Sequence, residues 1–592
     1  MVSRMTVNPP KISVIIPVYN MEKQVVRCLE HVKRQTLRDL EILCYDDGSS
    51  DHSLSLLREI ATTDRRIKVL AGPNRGSGLA RNACLREATG EYISFLDADD
   101  EYYDINSLEK LYSAAREKRA VLCGGAIAWY DHTHFIFAGK VNLKKDGWIR
   151  AQEYQYTYGY QGFLYDRLFL IHNHIFFPPY LRYQDPPFFL NAQLKAEKFF
   201  CIPFFIYRYN LHPKGISFYN YARTNDHLRG MTEELTISRQ HKLEQLHKLT
   251  LFRFLHTHGE LFVKSYLSGN KEVYSLLENA ENCIDPHIAR GVFPSTVHDA
   301  FLAPLLEIRR IHFLQHGKAF QAERLRKHII RLKQVWAKEA VLLDPYDSDY
   351  RANLIHLLRH HGDMKGARRE AERYLADFAG DSMGWILHSL LDEQEGNLPK
   401  ALQSAEKAVL LEPNYPAAYE HYCNMLRMNG HEEKAETLLK ELAEAHPNLG
   451  WPWRQLSWLE CDRGHGDLAL QYARQSVKAE PDNPDLREWL TVLLINNLLH
   501  DEAENLLEEA LKKDPSAQWA LSLLIRLYCE KQQPARVLDV FDRAVSLGLP
   551  FRSKHIKAMC RAGGRKLLFR HALSRGCWRL AGSLLFTSDG RR

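Results

Sequence analysis

Several things are scarce in this chain of 592 residues, and each scarcity excludes something. No run approaches the 18 or so apolar residues that a bilayer-crossing helix needs. Residues 1–10 hold no apolar stretch of the secretory kind, so a cytoplasmic location is expected. The eleven cysteines, spread from Cys28 to Cys577, form no Cys-x-x-Cys pair and no ligand-like spacing. That pattern suits reduced thiols better than a disulfide framework or a zinc site. Charge of one sign is also in short supply, since a net +6 is small for this length and makes no general case for nucleic acid. With 45% hydrophobic and 26% charged residues, wholesale disorder is excluded. The length exceeds what one core supports, so more than one domain is expected.

What is present first is an alternation. Lys11 to Tyr19 is a β-branched run that reads as a buried strand, with Pro17 near its end, and Met21 to Gln35 follows with helical apolar spacing. Leu40–Tyr45, Ile67–Leu70 and Tyr92–Leu96 read as further strands; His52–Ala61 and Ser77–Ala88 read as helices. Such alternation predicts a parallel sheet covered on both faces, with ligands outside the carboxyl ends of the strands. The fourth strand ends abruptly in Asp97, Asp99 and Asp100, three carboxylates within four residues. Acids at the end of a buried strand are costly unless a cation or hydrogen-bond donors sit there. Hard oxygen donors of this kind suit Mg²⁺ or Mn²⁺.

Four ordered motifs then carry a resemblance: Ser-Val-Ile-Ile-Pro-Val-Tyr-Asn from Ser13, Asp-Asp-Gly-Ser-Ser-Asp from Asp46, Gly-Leu-Ala-Arg-Asn-Ala from Gly78, and Gly-Glu-Tyr-Ile-Ser-Phe-Leu-Asp-Ala-Asp-Asp from Gly90. The sequence over residues 11–218 resembles the inverting family 2 glycosyltransferases of the GT-A fold, which is Rossmann-like with a mostly parallel sheet. Tyr183 to Phe189, Tyr207-Arg208-Tyr209 and His212 to Ser217 complete the likeness.

The resemblance implies roles. Pro17, Tyr19, Asp47, Asn74, Arg81 and Asp97 fall where the family binds the donor, with Tyr19 on the nucleotide base and Asp47 on the uracil of a UDP-sugar. A helix-capping reading of Asp47 is the alternative, for which Ser49, Ser50 and Asp51 are better placed. Asp97, Asp99 and His212 match the positions of a Mn²⁺ or Mg²⁺ site. Asp185 matches the base that takes the acceptor's proton, as inverting transfer requires. Where the family usually carries Glu-Asp, this chain has Gln184-Asp185, and a Gln cannot ionise. Trp148 to Tyr165 is dense in aromatics, which suits either core packing or a sugar face.

Residues 219–313 read as a helical connector, with helices over Ser238–Leu267 and Ala300–Phe313. From about residue 314 the sequence repeats. Prolines at 345, 413, 447, 481 and 515, with Ala379 filling the one gap and Pro550 one residue late, and alanines at 367, 401, 435, 469 and 503 share a spacing of 34. Trp385, Tyr419 and Trp453 add a large aromatic in phase. The period resembles tetratricopeptide repeats, with six units beginning near Ser348, Ser382, Pro416, Gly450, Pro484 and Gln518. Such a solenoid, over 314–550, implies a groove for a protein partner or an oligomer contact. Residues 551–592 hold eleven Lys/Arg against one acid, with interleaved apolar residues. That tail fits peripheral contact with an anionic membrane surface and equally a capping helix.

The expected architecture is therefore an α/β GT-A domain (1–218), an all-α connector (219–313), a tetratricopeptide solenoid (314–550) and a basic tail (551–592). The expected activity is metal-dependent hexosyl transfer from a UDP-sugar to a glycan or lipid-linked acceptor, in bacterial surface polysaccharide synthesis. The competing expectation is a non-catalytic scaffold with a relic nucleotide-sugar domain.

Overall fold

The computed structural model describes residues 9–131, 134–138, 146–211, 220–256, 258–288, 302–316, 318–343, 348–412, 415–514 and 517–546. The described residues form two compact units. One lies within Met1–Leu251 and Lys271–Thr296, the other within Phe252–Asn270 and Val297–Arg592, so the segment read as a connector contributes to both.

The first unit is built on a ten-stranded sheet. Strands β1 (Ile12–Val18), β2 (Leu40–Asp46), β3 (Ile67–Ala71) and β4 (Tyr92–Phe95) lie side by side in the order 3-2-1-4, all parallel. Beyond β4 the sheet turns mixed. After β5 (Glu101–Tyr102), β6 (Leu122–Asp131), β7 (His134–Ala138) and β8 (Gly147–Arg150), strand β9 (Phe163–Asp166) inserts antiparallel between β4 and β6. The long β10 (Lys198–Leu211) then pairs parallel with β6 and antiparallel with β5.

Every residue of β1 is buried, the mark of a strand covered on both faces. Ile12, Val14, Ile16 and Val18 pack on one side with Val25, Leu29 and Val32 of α1 (Val25–Lys33) and with Leu57 of α2 (Ser53–Thr63). Ile15 turns the other way, toward Cys84 and Leu85 of α3 (Ser77–Glu87) and toward Phe188 and Phe189. The predicted strands and helices over residues 11–96 are all present, because the short apolar runs and the helical spacing there agree with the tertiary packing. Along the chain follow α4 (Ser107–Lys118), α5 (Ala151–Tyr154), α6 (Arg167–His172), α7 (Asp185–Ala196) and α8 (Tyr221–Gln240).

The predicted helix over Ser238–Leu267 is broken in the structure. Lys242 adopts φ 56° and Leu243 N–H donates to Ser238 O at 2.8 Å, a left-handed cap that ends α8. Nothing in the local composition marks that stop, which is a matter of how Leu243 and Leu246 pack beside Leu190.

Among the described residues of the second unit, six helix pairs are in phase, and their first helices begin at Ser348, Ser382, Pro416, Gly450, Pro484 and Gln518, the residues expected from the period. Ala367, Ala401, Ala435, Ala469 and Ala503 are each 0% exposed, so the small residue of each pair sits where neighbouring helices approach closest. Glycines recur in phase as well. Gly362, Gly396, Gly430 and Gly464 lie at φ 79–82°, immediately after the first helix of four pairs. In each the following N–H closes back on the helix, as from Asn397 to Asp392 O at 2.8 Å. In the last two pairs Leu498 (φ 61°) and Gln532 (φ 53°) occupy that position instead.

An L-residue in the left-handed region carries strain of about 1–2 kcal/mol, partly offset by the entropy that glycine loses on folding. Leu498 is 75% exposed and gives up little packing. Leu498→Gly should therefore raise stability by about 0.5–1 kcal/mol, and Gly430→Ala should lower it by about 1 kcal/mol. Urea midpoints of the full chain read both, and a lower midpoint for Leu498→Gly would refute the assignment.

Candidate active site

The carboxyl ends of β1, β2, β3 and β4 lie along one edge of the sheet, and each delivers a polar residue there. Tyr19 follows β1 and is 41% exposed, with an accessible ring, whereas Pro17 is buried within the strand opposite Tyr45. Asn20 adopts φ 53°; its N–H donates to Ser49 Oγ and its Oδ1 accepts from Ser50 N–H, so the ends of β1 and β2 are tied together.

Asp47 follows β2 and is 3% exposed. Its two carboxylate oxygens accept the Arg75 and Gly76 N–H groups at 2.9 and 2.8 Å, fastening the loop after β3 in place. Burial pushes this carboxyl up from its ordinary value, with the two N–H bonds opposing. The N-cap of α2 is His52, whose side chain makes no capping bond, and Asp51 before it accepts from Ser53 N–H at 2.9 Å. Gly48, at φ 75°, leaves room for the Asn74 backbone, where a Cβ would meet Asn74 N at 2.8 Å. Asn74 itself is exposed on that loop.

Arg81, on the second turn of α3, is 3% exposed and sits between two acids. Its Nη2 donates to Asp97 Oδ1 at 2.5 Å, and its Nη1 lies 3.5 Å from Asp185 Oδ1. The guanidinium also lies 5.3 Å from the Tyr160 ring and 5.2 Å from the Phe177 ring. Burial works against the charge, but the acids outweigh it and hold Arg81 protonated.

Asp97 Oδ2 accepts from Gln161 Nε2 at 3.2 Å, so both carboxylate oxygens are engaged. The acid turn is pinned from β10. Tyr207 hydroxyl accepts the Asp97 N–H and donates to Asp100 Oδ2 at 2.8 Å, and Asn210 binds Asp100 Oδ1 through its N–H and Asp99 O through its amide. Burial, then Asp97 and Asp99, push the Asp100 carboxyl well above the usual range, while the bonds from Asn210 and Tyr207 oppose the rise.

Asp185 opens α7, where the helix N-terminus favours a negative charge. Its Oδ1 is buried and has no hydrogen-bond partner among the described residues. Burial pushes the carboxyl up to about 6, Arg81 pulls it down, and Asp97 adds to the rise. Among the described residues Gln184 bonds no carboxylate; its Nε2 donates to Ser77 Oγ at 2.9 Å, which also accepts from Arg81 at 3.2 Å. The replacement of an acid by Gln thus joins the start of α7 to the start of α3.

Residues 13–178 match the family model described as glycosyl transferase family 2. The N-terminal domain belongs to that family. EpsJ of Bacillus subtilis is 29% identical over 35% of this chain and 63% of its own length. The poly(ribitol-phosphate) beta-glucosyltransferase of Bacillus spizizenii is 32% identical over 32% of this chain and 30% of its own length. The chain thus spans less than two thirds of these relatives. TarS 1–349 of S. aureus, solved with UDP-GlcNAc, is 18% identical with TM-score 0.42, covering 55% of this chain and 90% of that one. A tetratricopeptide repeat protein from Parabacteroides merdae is 15% identical with TM-score 0.31, covering 43% of this chain and 99% of that one.

In the family 2 domain the structure brings Arg81, Asp97 and Asp185 together, with Asp99 on the same turn. Tyr19, Asp47 and Asn74 line the same edge farther along β1–β3. His212 lies outside the described residues. Among those described, no group of three or more His, Cys, Asp or Glu converges as a metal site. A Mg²⁺ or Mn²⁺ held by one or two carboxylates plus substrate phosphates needs no such group, so the donor set of Asp97 and Asp99 fits one.

Gln161, Tyr207 and Asn210 are site residues that their own motifs did not announce. Gln161 hides in the aromatic run, where Tyr160, Phe163 and Tyr165 are core at no more than 1% exposed and Tyr154, Tyr156 and Tyr158 are half-buried. Only the contact with Asp97 distinguishes it.

The solenoid carries its own concavity, of about 510 Å³, lined by Leu390, Asn424 and Trp458, three residues at the same phase of successive repeats. His421 lines it too; burial pushes it down to about 4, and its Nε2 bonds Ser389 Oγ at 2.7 Å. Among the described residues no helix is long and apolar enough to cross a membrane.

A carboxyl with a folded pKa above its unfolded value favours the fold when protonated and costs stability as pH rises through that range. Asp185, pushed up to about 6, fits this case. Asp185→Asn stays neutral, so it should melt higher than the natural chain near pH 7.5, with the gap closing as pH falls toward 4. Thermal melts at both pH values test this, and a variant that melts lower throughout would contradict it.

Proposed function

We propose that this protein is an inverting, metal-dependent glycosyltransferase that moves a sugar from a UDP-sugar to a glycan or lipid-linked acceptor. The observation that carries the reading is Asp185. It is a carboxylate with an unsatisfied buried oxygen, near neutral proton affinity, 3.5 Å from the guanidinium that also holds Asp97. A base must hold a carboxylate at working pH yet accept a proton readily, and a value near 6 serves both demands. Asp185 accepts the proton of the acceptor hydroxyl as it attacks the anomeric carbon from the face opposite UDP. Arg81 stays charged and orients both acids. Tyr19 stacks on the base, and Asp47 accepts from uracil through the lone pairs that its two loop bonds leave open.

Asp97 and Asp99 would hold the Mn²⁺ or Mg²⁺, which when bound neutralises charge on the departing diphosphate. The name of the B. spizizenii relative, a poly(ribitol-phosphate) beta-glucosyltransferase, supports a place in bacterial surface polysaccharide synthesis. The solenoid groove, in this reading, holds a protein partner or a second copy. A cytoplasmic location with peripheral membrane contact through 551–592 belongs to the same proposal; that tail lies outside the described residues.

The experiment is a panel of UDP-sugars with purified chain and Mn²⁺, following UDP release with and without EDTA. Hydrolysis of one donor, lost on chelation, is expected. Its rate should rise with pH through a limb near 6 and fall by about 10²–10⁴-fold in Asp185→Asn while UDP still binds. No UDP bound and no donor consumed would overturn the reading and favour a scaffold.

A further inference from the structure

Tyr183 stands at φ 63°, in a region that bulky L-residues rarely adopt, two residues before Asp185. Three residues of α8 hold it there. Its hydroxyl donates to Glu234 Oε2 at 2.8 Å, and its ring stacks on His227 with centroids 4.8 Å apart at 23°. Its carbonyl oxygen presses on Gly230, where an added Cβ would come within 2.6 Å. Glu234 is 0% exposed, and its Oε1 accepts the Thr157 hydroxyl.

The aromatic run reaches the same point from the other side. Tyr154, Tyr156, Tyr158 and Tyr183 make successive edge-to-face contacts at 6.0, 5.9 and 6.4 Å. A left-handed residue turns the chain sharply, and here the turn delivers Asp185 to the first position of α7 facing Arg81. The groups that face Asp185 are Arg81 from α3, Asp97 after β4, and the phenols of Tyr160 and Tyr165.

We propose that Tyr183, clamped by Glu234, Thr157 and Gly230, is a positioning residue that sets the placement of the Asp185 carboxylate against Arg81. The inference rests on Asp185 being the base. Tyr183 touches no reacting atom in this scheme, so its effect reaches turnover through the geometry and proton affinity of Asp185. Arg81 is the cation nearest that carboxyl, and moving the pair apart raises the carboxyl's affinity for its proton.

The test is Tyr183→Phe in the full chain, which keeps the ring and removes the hydroxyl. With the UDP-sugar that the panel identifies, kcat should fall about 10-fold or more while UDP affinity and donor KM stay within about 2-fold. The acid limb should move upward by about half a pH unit or more. Thr157→Ser, which keeps the second hydroxyl, should retain both turnover and limb. Glu234→Gln is the alternative should Tyr183→Phe fail to fold, and the same split is expected. Hydrogen exchange over residues 181–190 of the ligand-free chain should quicken in either variant without change in α3. Unaltered turnover, limb and exchange in a folded variant would overturn the proposal. An active Asp185→Asn would instead overturn the underlying assignment of the base.

Discussion

A single buried guanidinium organises the first unit. Arg81 cannot sit 3% exposed without opposite charge, and the two acids that supply it come from different parts of the chain, Asp97 after β4 and Asp185 at the start of α7. Asp97 is the close partner, and removing it would leave the buried guanidinium under-compensated, at a cost of about 3–5 kcal/mol. The edge of the sheet and the start of α7 are thereby locked to a common centre. The same lock leaves Asp185 poised: burial pushes its proton on, Arg81 draws it off, and the balance falls near 6.

Around that centre the chain spends hydrogen bonds on aiming acids. Asp100, its carboxyl pushed up by burial and by Asp97 and Asp99, accepts from Tyr207 and Asn210, which oppose that rise, and in being held it fixes the turn that carries Asp97 and Asp99. Asp47 binds two backbone N–H groups of the loop before α3, and Gln184 joins the starts of α3 and α7 through Ser77. These contacts fix loops at strand ends, where the backbone has no ladder to satisfy it. Rigid placement of acids at such an edge is what transfer chemistry demands of a scaffold.

The solenoid is governed by another constraint. Each helix pair must bring two helices close, and fully buried alanines permit that approach in five pairs. Each first helix must also stop within one residue to turn back, which a left-handed residue achieves. Four pairs use glycine and the last two tolerate Leu498 and Gln532. Repetition makes the concave lining periodic, so that Leu390, Asn424 and Trp458 meet in one pocket although 34 residues separate each from the next.

By itself the sequence determined the elements whose causes are local or periodic. Strands over residues 11–96 follow from continuous apolar runs and helices from a period of 3.6, and the repeat boundaries follow from a fixed 34-residue phase. The aspartates were legible as acids at strand ends, which are costly there without donors or a cation, and their expected roles came from the family resemblance. Tertiary structure alone decided the rest. It inserted β9 antiparallel beside β4, ended α8 at Lys242, and turned most of an aromatic run into core and buttress. It also chose Gln161 and Tyr207 as partners of Asp97, and bent Tyr183 into a strained turn. The physical reason is common to all of these: each depends on contacts between residues far apart in the chain, whose energies no local pattern encodes.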